Sequence, residues 1–490
     1  FVLFLKKIKN LFLNFMIFKK KNIKNYFIKD TEIFYSKNTK KRINFLSKNK
    51  FFYNEISSLL GNIIGEKKSI LFFCCGNSTI REKIETKRSF IHDINDEVVN
   101  NFFNFDDDHL IKDEAIISEV DTVIIADIEH QLKPFENFSR LSKNIKDDCE
   151  LVIISKSLVW ATINKLFKYI LKDQFPTNYN FLPFNYIKNL IDINNLEIIR
   201  NEKAIVVPFK IPLITNLLNQ IFRLPILNIF CMINITVLKK KIISKKLASE
   251  SKISVIIPCK NEENNIKLIE KNIFNLGRET EFIFGDDKSS DKTVEAINKI
   301  DISDPNIKIR SYAGPGICKS ENVYRGIDIS EGDIVLIYDA DSTVSFEDIK
   351  LSLNALTSSN ADIINCTRMI YPQRKNAMKK ANFIGNIFFA YMYSFLFNKK
   401  ITDTLCGTKI IYKKDWNKLK SSNSLSGIKD LWGDFDLLIG AYKNNLKICE
   451  VPVHYLERLE DETKMKSVFM NGMRMLFITI KSYYKLRIGR

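Results

Sequence analysis

Ile334-Val-Leu-Ile-Tyr-Asp-Ala-Asp341 is the stretch on which the reading of this 490-residue chain turns. Four apolar residues make a short buried strand, and two carboxylates follow at its carboxyl end, spaced i, i+2. On an extended backbone that spacing puts Asp339 and Asp341 on one face. Paired carboxylates there can hold a divalent cation, and the cation can bind a diphosphate. Taken alone, Asp-x-Asp is no more than an acidic turn at a strand end. Here its neighbours matter.

Upstream, Ile253-Ser-Val-Ile-Ile257 is a second short strand, expected to stop at Pro258. Lys260-Asn-Glu-Glu263 then opens a helical pattern with an acidic first turn. Glu281-Phe-Ile-Phe-Gly-Asp286-Asp287 is a third strand ending in acids. Ser289, Asp291 and Thr293 follow it and are suited to cap a helix or to bond a base or ribose. Strand, helix, strand, helix with acids at the strand ends is the layout of a nucleotide-binding α/β half-sheet.

These residues resemble the family 2 glycosyltransferases with a GT-A fold, especially their polyprenyl-phosphate (dolichol-phosphate mannose synthase-like) branch. Downstream blocks extend the resemblance over Ile253–Arg490: Lys319 in a small-residue loop, Asn365-Cys-Thr-Arg368, Thr402–Lys409, Trp432–Asp436, and Glu450–Arg458 with Thr463 and Lys464. The resemblance implies inverting transfer from a nucleoside diphosphate sugar. It assigns Pro258, Asn261, Glu262, Asp286, Asp287, Lys319 and Asp339 to the nucleotide sugar, and Asp339 and Asp341 to Mg²⁺ or Mn²⁺. Asp403, Asp434 and Asp436 are the candidate catalytic carboxylates, of which at most one of the helical pair Asp434 and Asp436 reaches the reacting centre. Arg368, Arg458 and Lys464 are candidates to bind the acceptor. A hydroxyl acceptor would need a carboxylate as general base, whereas a phosphate acceptor is already anionic and would want these cations.

Composition narrows the partners. The net charge of +18 fits an anionic membrane surface or nucleic acid, but no aromatic-basic block resembles a nucleic-acid module. Nine Cys without regular pairing, Cys74 and Cys75 adjacent, favour a reducing compartment. Four His form no cluster with zinc-ligand spacing. Residues 1–40 read as a basic amphipathic arm. Phe383–Phe397 is strongly apolar but shorter than the ~20 residues that span a bilayer. Lys379, Lys380, Lys399 and Lys400 flank it, which suits seating at a membrane interface. The expected location is peripheral, on the inner face of the cytoplasmic membrane, with polyprenyl phosphate as acceptor.

Residues 41–241 read as a separate α/β unit, joined by a linker at 242–252 to the transferase unit at 253–490. Strands at Lys68–Phe73, Phe90–Asp93, Asp121–Ala126 and Leu151–Ser155, with Cys74-Cys-Gly-Asn-Ser78 after the first, resemble class I S-adenosylmethionine-dependent methyltransferases. That resemblance assigns Cys75 and Gly76 to the methionine part of the cofactor, Asp93 to the ribose and Asp106 to the adenine side. The loop departs from the family pattern: Phe72 stands where an acid is usual, and Cys74 and Ser78 replace glycines. A domain kept as scaffold is therefore an open alternative to methyl transfer. Two further readings stay open for the whole chain: a methyltransferase whose second half only binds sugar nucleotides, and a non-catalytic membrane scaffold.

Overall fold

The structure is a computed structural model. It describes residues 49–73, 80, 84, 86–92, 114–126, 128, 134–157, 159–160, 184–224, 227–241, 247–371, 378–422, 425–457 and 468–488. Within them the chain is α/β, with two sheets flanked by helices. The first sheet contains β1 (Lys67–Phe73), β2 (Thr86–His92), β3 (Thr122–Ile125), β4 (Glu150–Lys156), β5 (Leu196–Ala204) and β6 (Ile233–Lys240). Their order is β2-β1-β3-β4-β6-β5, the first four parallel and the last pair antiparallel. β2 starts at Thr86 rather than at its apolar residues, because an edge strand can pair through its backbone while Lys87 and Arg88 stay in water.

The second sheet contains β7 (Lys252–Cys259), β8 (Glu279–Asp286), β9 (Ile307–Ala313), β10 (Ile334–Ile337), β11 (Ile363–Thr367), β12 (Lys409–Tyr412) and β13 (Ile448–Pro452). Its order is β13-β11-β12-β10-β7-β8-β9, with β12 antiparallel to both neighbours. β7, β8 and β9 build outward in one direction, and the chain then returns through helix Lys319–Ile329 to lay β10 on the other side of β7. Ligands of open α/β sheets bind at such a reversal, outside the carboxyl ends of the strands. That end of β10 is where Asp339 and Asp341 stand.

Alternation along the strands divides the core into two layers. Ile334 and Leu336 pack with Val255 and Phe284 on one face, while Val335 and Ile337 pack with Ile256 and Phe435 on the other. All four β10 residues are buried, each contributing roughly 1.5–3 kcal/mol. Pro258 does not end β7, contrary to the sequence expectation. The β10 rungs stop at Ile337 opposite Ile256, so the missing Pro258 N–H falls where no ladder bond would form, and pairing to β8 continues to Cys259.

The two sheets meet through polar groups. Asn445 donates to the Ile63 carbonyl at 2.9 Å and to Glu150 at 3.1 Å, and Lys239 donates to the Asn445 carbonyl at 2.9 Å. Lys447 pairs with Glu197, and Tyr442 donates to the buried Glu202 at 3.0 Å. Among the described residues no helix is long and apolar enough to cross a membrane.

Candidate active site

The loops after β7, β8 and β9 are laced into one rim. Asn261 sits at φ 54, in the left-handed region an Asn tolerates, and its Oδ1 accepts from the Ser290 N–H at 2.7 Å. Its own N–H donates to Ser289 Oγ at 2.9 Å, and the Glu262 N–H donates to Thr293 Oγ1 at 2.8 Å. Asp286 ends β8, and its carbonyl accepts the Gly314 N–H at 2.6 Å. The nearly buried Asp287 accepts the Gly316 N–H at 2.6 Å and faces Lys260 at 3.7 Å. Gly316 has φ +70, and a Cβ there would lie 2.4 Å from the Lys288 side chain. The left-handed backbone by which the loop closes on Asp287 favours glycine at this point.

Past this rim, at the carboxyl end of β10, acids and bases alternate. Lys319, the first residue of its helix, reaches Asp339 Oδ1 at 2.5 Å. Burial alone would depress the Lys319 ammonium, but the carboxylates of Asp339, Asp434 and Asp341 outweigh it and hold it above the ordinary lysine range. Burial likewise opposes ionisation of Asp339, yet Lys319, with Arg368 and Lys409 further off, keeps its carboxyl below the ordinary range. Gly407 lets the chain before β12 pass against this carboxylate, since a Cβ would lie 2.3 Å from Asp339 Oδ2. Asp341 stands beside it, accepting from Thr343 Oγ1 at 2.9 Å.

Two of the carboxylates read as catalytic are already paired. Asp403 is fully buried and takes five donors: Arg368 N–H, Nε and Nη2 at 3.1, 2.7 and 3.0 Å, Asn386 Nδ2 at 2.8 Å and the Leu405 N–H at 2.9 Å. That exceeds the roughly four acceptor positions of a carboxylate. Burial pushes its pKa up, but Arg368 and these bonds prevail and bring it to about 2. Arg368 in turn lies 5.0 Å over the Tyr455 ring. Asp434 Oδ1 accepts from Lys409 Nζ at 2.7 Å, and both side chains are buried. Asp436, two residues on, raises the pKa of the buried Tyr324 after the larger effect of burial. The helix carrying both acids begins after Gly433, at φ +87.

Sequence reasoning missed Lys409 and Asp430. Lys409 opens the apolar strand Lys-Ile-Ile-Tyr412 and is fully buried; a lysine leading a core strand was the available signal. Asp430 accepts from the Phe435 and Asp436 N–H groups at 2.9 and 3.2 Å, and so caps that helix. Burial, then the neighbouring Asp434, raises its pKa. Arg458, Lys464, Cys75, Gly76, Asp93 and Asp106 lie outside the described residues.

Among the described residues there is no cluster of three or more metal-ligating side chains. The donor set of Asp339 and Asp341 still fits Mg²⁺ or Mn²⁺, hard ions that keep waters and substrate phosphates beside one or two carboxylates.

Residues 254–419 match the model of the family described as Glycosyl transferase family 2. A dolichyl-phosphate beta-glucosyltransferase of Trichomonas vaginalis is 24% identical over 252 residues, spanning 48% of this chain and 73% of the relative. A dolichyl-phosphate beta-glucosyltransferase of Dictyostelium discoideum is 27% identical over 229 residues, spanning 42% and 66%. A solved structure of glucosyl-3-phosphoglycerate synthase from Mycobacterium tuberculosis, in complex with Mn²⁺, uridine-diphosphate and glucosyl-3-phosphoglycerate, aligns with a TM-score of 0.35. It is 16% identical and spans 47% of this chain and 80% of that one. Residues 254–419 therefore carry a family 2 glycosyltransferase domain, and that family is one of inverting enzymes.

Proposed function

We propose that the C-terminal half, with a GT-A fold, moves a sugar from a nucleoside diphosphate donor onto the phosphate of a polyprenyl phosphate at a membrane surface. The observation that carries the choice of acceptor is the state of the carboxylates. Asp403 is spent on Arg368 and Asp434 on Lys409, which suits a reaction needing fixed cations more than a general base. The acceptor phosphate is anionic near neutral pH. Its oxygen attacks the anomeric carbon, the bond from that carbon to the diphosphate breaks, and the diphosphate leaves with the electron pair.

Asp286 and Asp287 would hold the base and ribose, with Pro258, Asn261 and Glu262 as further residues for the nucleotide sugar. Mg²⁺ or Mn²⁺, held by Asp339 and Asp341, would neutralise charge on the leaving diphosphate. Lys319 lies beside the same carboxylates and adds a fixed positive charge at that point. Asp403 positions Arg368 for the acceptor phosphate, with Arg458 and Lys464 as further cations. Helix Lys380–Phe397 supports a lipid acceptor: Phe383, Ile384, Phe388 and Tyr391 are exposed on one side, while Phe389 and Tyr393 pack into the core. The relatives named for dolichyl phosphate support the same acceptor. The location that follows is peripheral, on the inner face of the cytoplasmic membrane.

A second reading concerns the first half. Its four parallel strands support a methyltransferase-like sheet that takes S-adenosylmethionine. Phe72, 2% exposed and packed with Ile124 and Val152, supports the scaffold alternative, since the position where an acid is usual is given to the core.

Purified protein incubated with a panel of radiolabelled sugar nucleotides and a lipid extract should give a labelled, organic-extractable product, with UDP-glucose as the first donor to try. Label that enters only water-soluble products would remove the lipid acceptor.

A further inference from the structure

Where the two halves meet, three arginines converge on Glu202. Arg223 Nη2 and Arg487 Nη1 lie 2.9 and 2.7 Å from its Oε2, and Arg200 Nε donates to Oε1 at 2.6 Å. Arg200 is also 4.2 Å from the Tyr442 ring centroid, and Arg487 donates to the Leu396 carbonyl at 2.7 Å. Beside them opens a cavity of about 240 Å³, lined in part by Asn62, Asn216, Gln220, Arg223, Arg487 and Glu55. Three guanidinium groups face two carboxylates there, which leaves positive charge in excess. Arg223 is about nine-tenths buried, and among the described residues its Nε has no acceptor. A buried donor without a partner is costly. Burial lowers the Arg223 pKa, Glu202 opposes this, and Arg487 lowers it further, so its charge is under-compensated.

The helix that walls the cavity, Ile214–Ile221, is inside out. It buries Thr215 and Asn219, and it exposes Leu213 (91%), Ile214 (50%), Leu217 (57%) and Ile221 (37%). Tyr484, which also lines the cavity, is 58% exposed, and Phe477 and Ile480 continue the apolar surface along helix Val468–Tyr483. No acid occurs between Glu202 and Glu250, between Asp362 and Asp403, or after Glu462, so the segments that present this surface carry only basic charge. Exposed apolar side chains among cations suit the boundary of an anionic bilayer.

We propose that this cavity binds the phosphodiester headgroup of an anionic phospholipid, with the outer face of helix Ile214–Ile221 seated in the acyl boundary. The volume holds roughly eight waters at ~30 Å³ each, which is room for a phosphate and part of a glycerol. The site is separate from the transfer crevice, and its test reads binding, so it stands or falls independently of the glycosyl acceptor.

The experiment is flotation of the full chain with phosphatidylcholine vesicles and with mixed phosphatidylcholine–phosphatidylglycerol vesicles. The wild type should prefer the mixed vesicles. Gln220→Glu places a negative charge in the cavity and should cut that preference about tenfold, the worth of one charge-assisted hydrogen bond. Asn298→Asp adds the same charge at an exposed helix end elsewhere and should leave the preference intact. Arg223→Gln should resemble Gln220→Glu, and Gln220→Glu alone decides the matter if Arg223→Gln fails to fold. Leu213→Ser with Leu217→Ser should weaken binding to both kinds of vesicle. Equal behaviour of Gln220→Glu and Asn298→Asp would overturn the proposal. So would calorimetric binding of inorganic phosphate that Gln220→Glu abolishes while vesicle binding stays unchanged, because the ligand would then be a soluble anion.

Discussion

Replacing Lys319 by Gln separates two things its ammonium does. In the wild type it sits 2.5 Å from Asp339 Oδ1, with both side chains less than one-third exposed. Removing it leaves a mostly buried carboxylate without its nearest counter-charge. Breaking a buried pair costs about 3–5 kcal/mol, and the partial exposure here argues for the lower end of that range. The variant should still fold, with a lowered melting temperature. Its turnover should fall about 10²–10³-fold, the loss typical when one preorganised charge-stabilising donor is removed. Metal affinity should move the other way. Lys319 competes for Asp339, so Gln should allow Mn²⁺ to bind the carboxylate pair more tightly, which calorimetry or electron paramagnetic resonance of Mn²⁺ can read without any turnover. Unchanged turnover would remove Lys319 from the diphosphate site. Weaker Mn²⁺ binding would show that the lysine builds the carboxylate pair rather than competing with the ion.

Three other outcomes are expected. Asp341→Asn should abolish turnover with little change in melting temperature, because two carboxylates share one ion; full activity in the variant, or in the wild type with excess EDTA, would refute the metal assignment. Asp403→Asn should cost about 3–5 kcal/mol near neutral pH by stranding Arg368. Asp403 has a depressed pKa, so its contribution is complete above the unfolded value of about 3.9 and fades as pH falls towards 2; chemical denaturation should show the deficit narrowing in acid, and a deficit that does not depend on pH would contradict the charge argument. Calorimetry with S-adenosylmethionine should show heat that Asp93→Ala diminishes if the first half retains its cofactor site, whereas no heat at millimolar ligand leaves it a scaffold.

The strand ends were legible because their signals are local. Apolar runs closed by Asp286-Asp287 and Asp339-Ala-Asp341 announce both the strands and the edge of the sheet where chemistry gathers. Asp339 and Asp341 themselves stand in the turn after the strand, where the Ser342 N–H donates to the Asp339 carbonyl at 3.2 Å, so the shared face expected of an extended backbone is not what sets their placement. Lys409 and Asp430 were not legible as site residues, because their meaning depends on partners far along the chain: Lys409 meets Asp434 across 25 positions. The same limit applies to Asp403, whose commitment to Arg368 and Asn386 is a tertiary fact. Pro258 misled for a related reason, since whether a proline breaks a strand depends on where the neighbouring strand stops. Helix Ile214–Ile221 shows the limit most plainly: its pattern marks two faces, but only the packing shows that the polar one is turned inward.

The most direct test of the account compares two acceptors that differ by one group. Purified protein, Mg²⁺ and UDP-glucose, or the donor found active in the panel, are offered either a polyprenyl phosphate or the polyprenol of the same chain length, and the lipid products are weighed by mass spectrometry. The account predicts a one-hexose increment on the phosphate and none on the alcohol, because Asp403 and Asp434 are already bound to cations. Transfer to the alcohol with none to the phosphate would contradict it and return one of the helix acids, Asp434 or Asp436, to the role of general base.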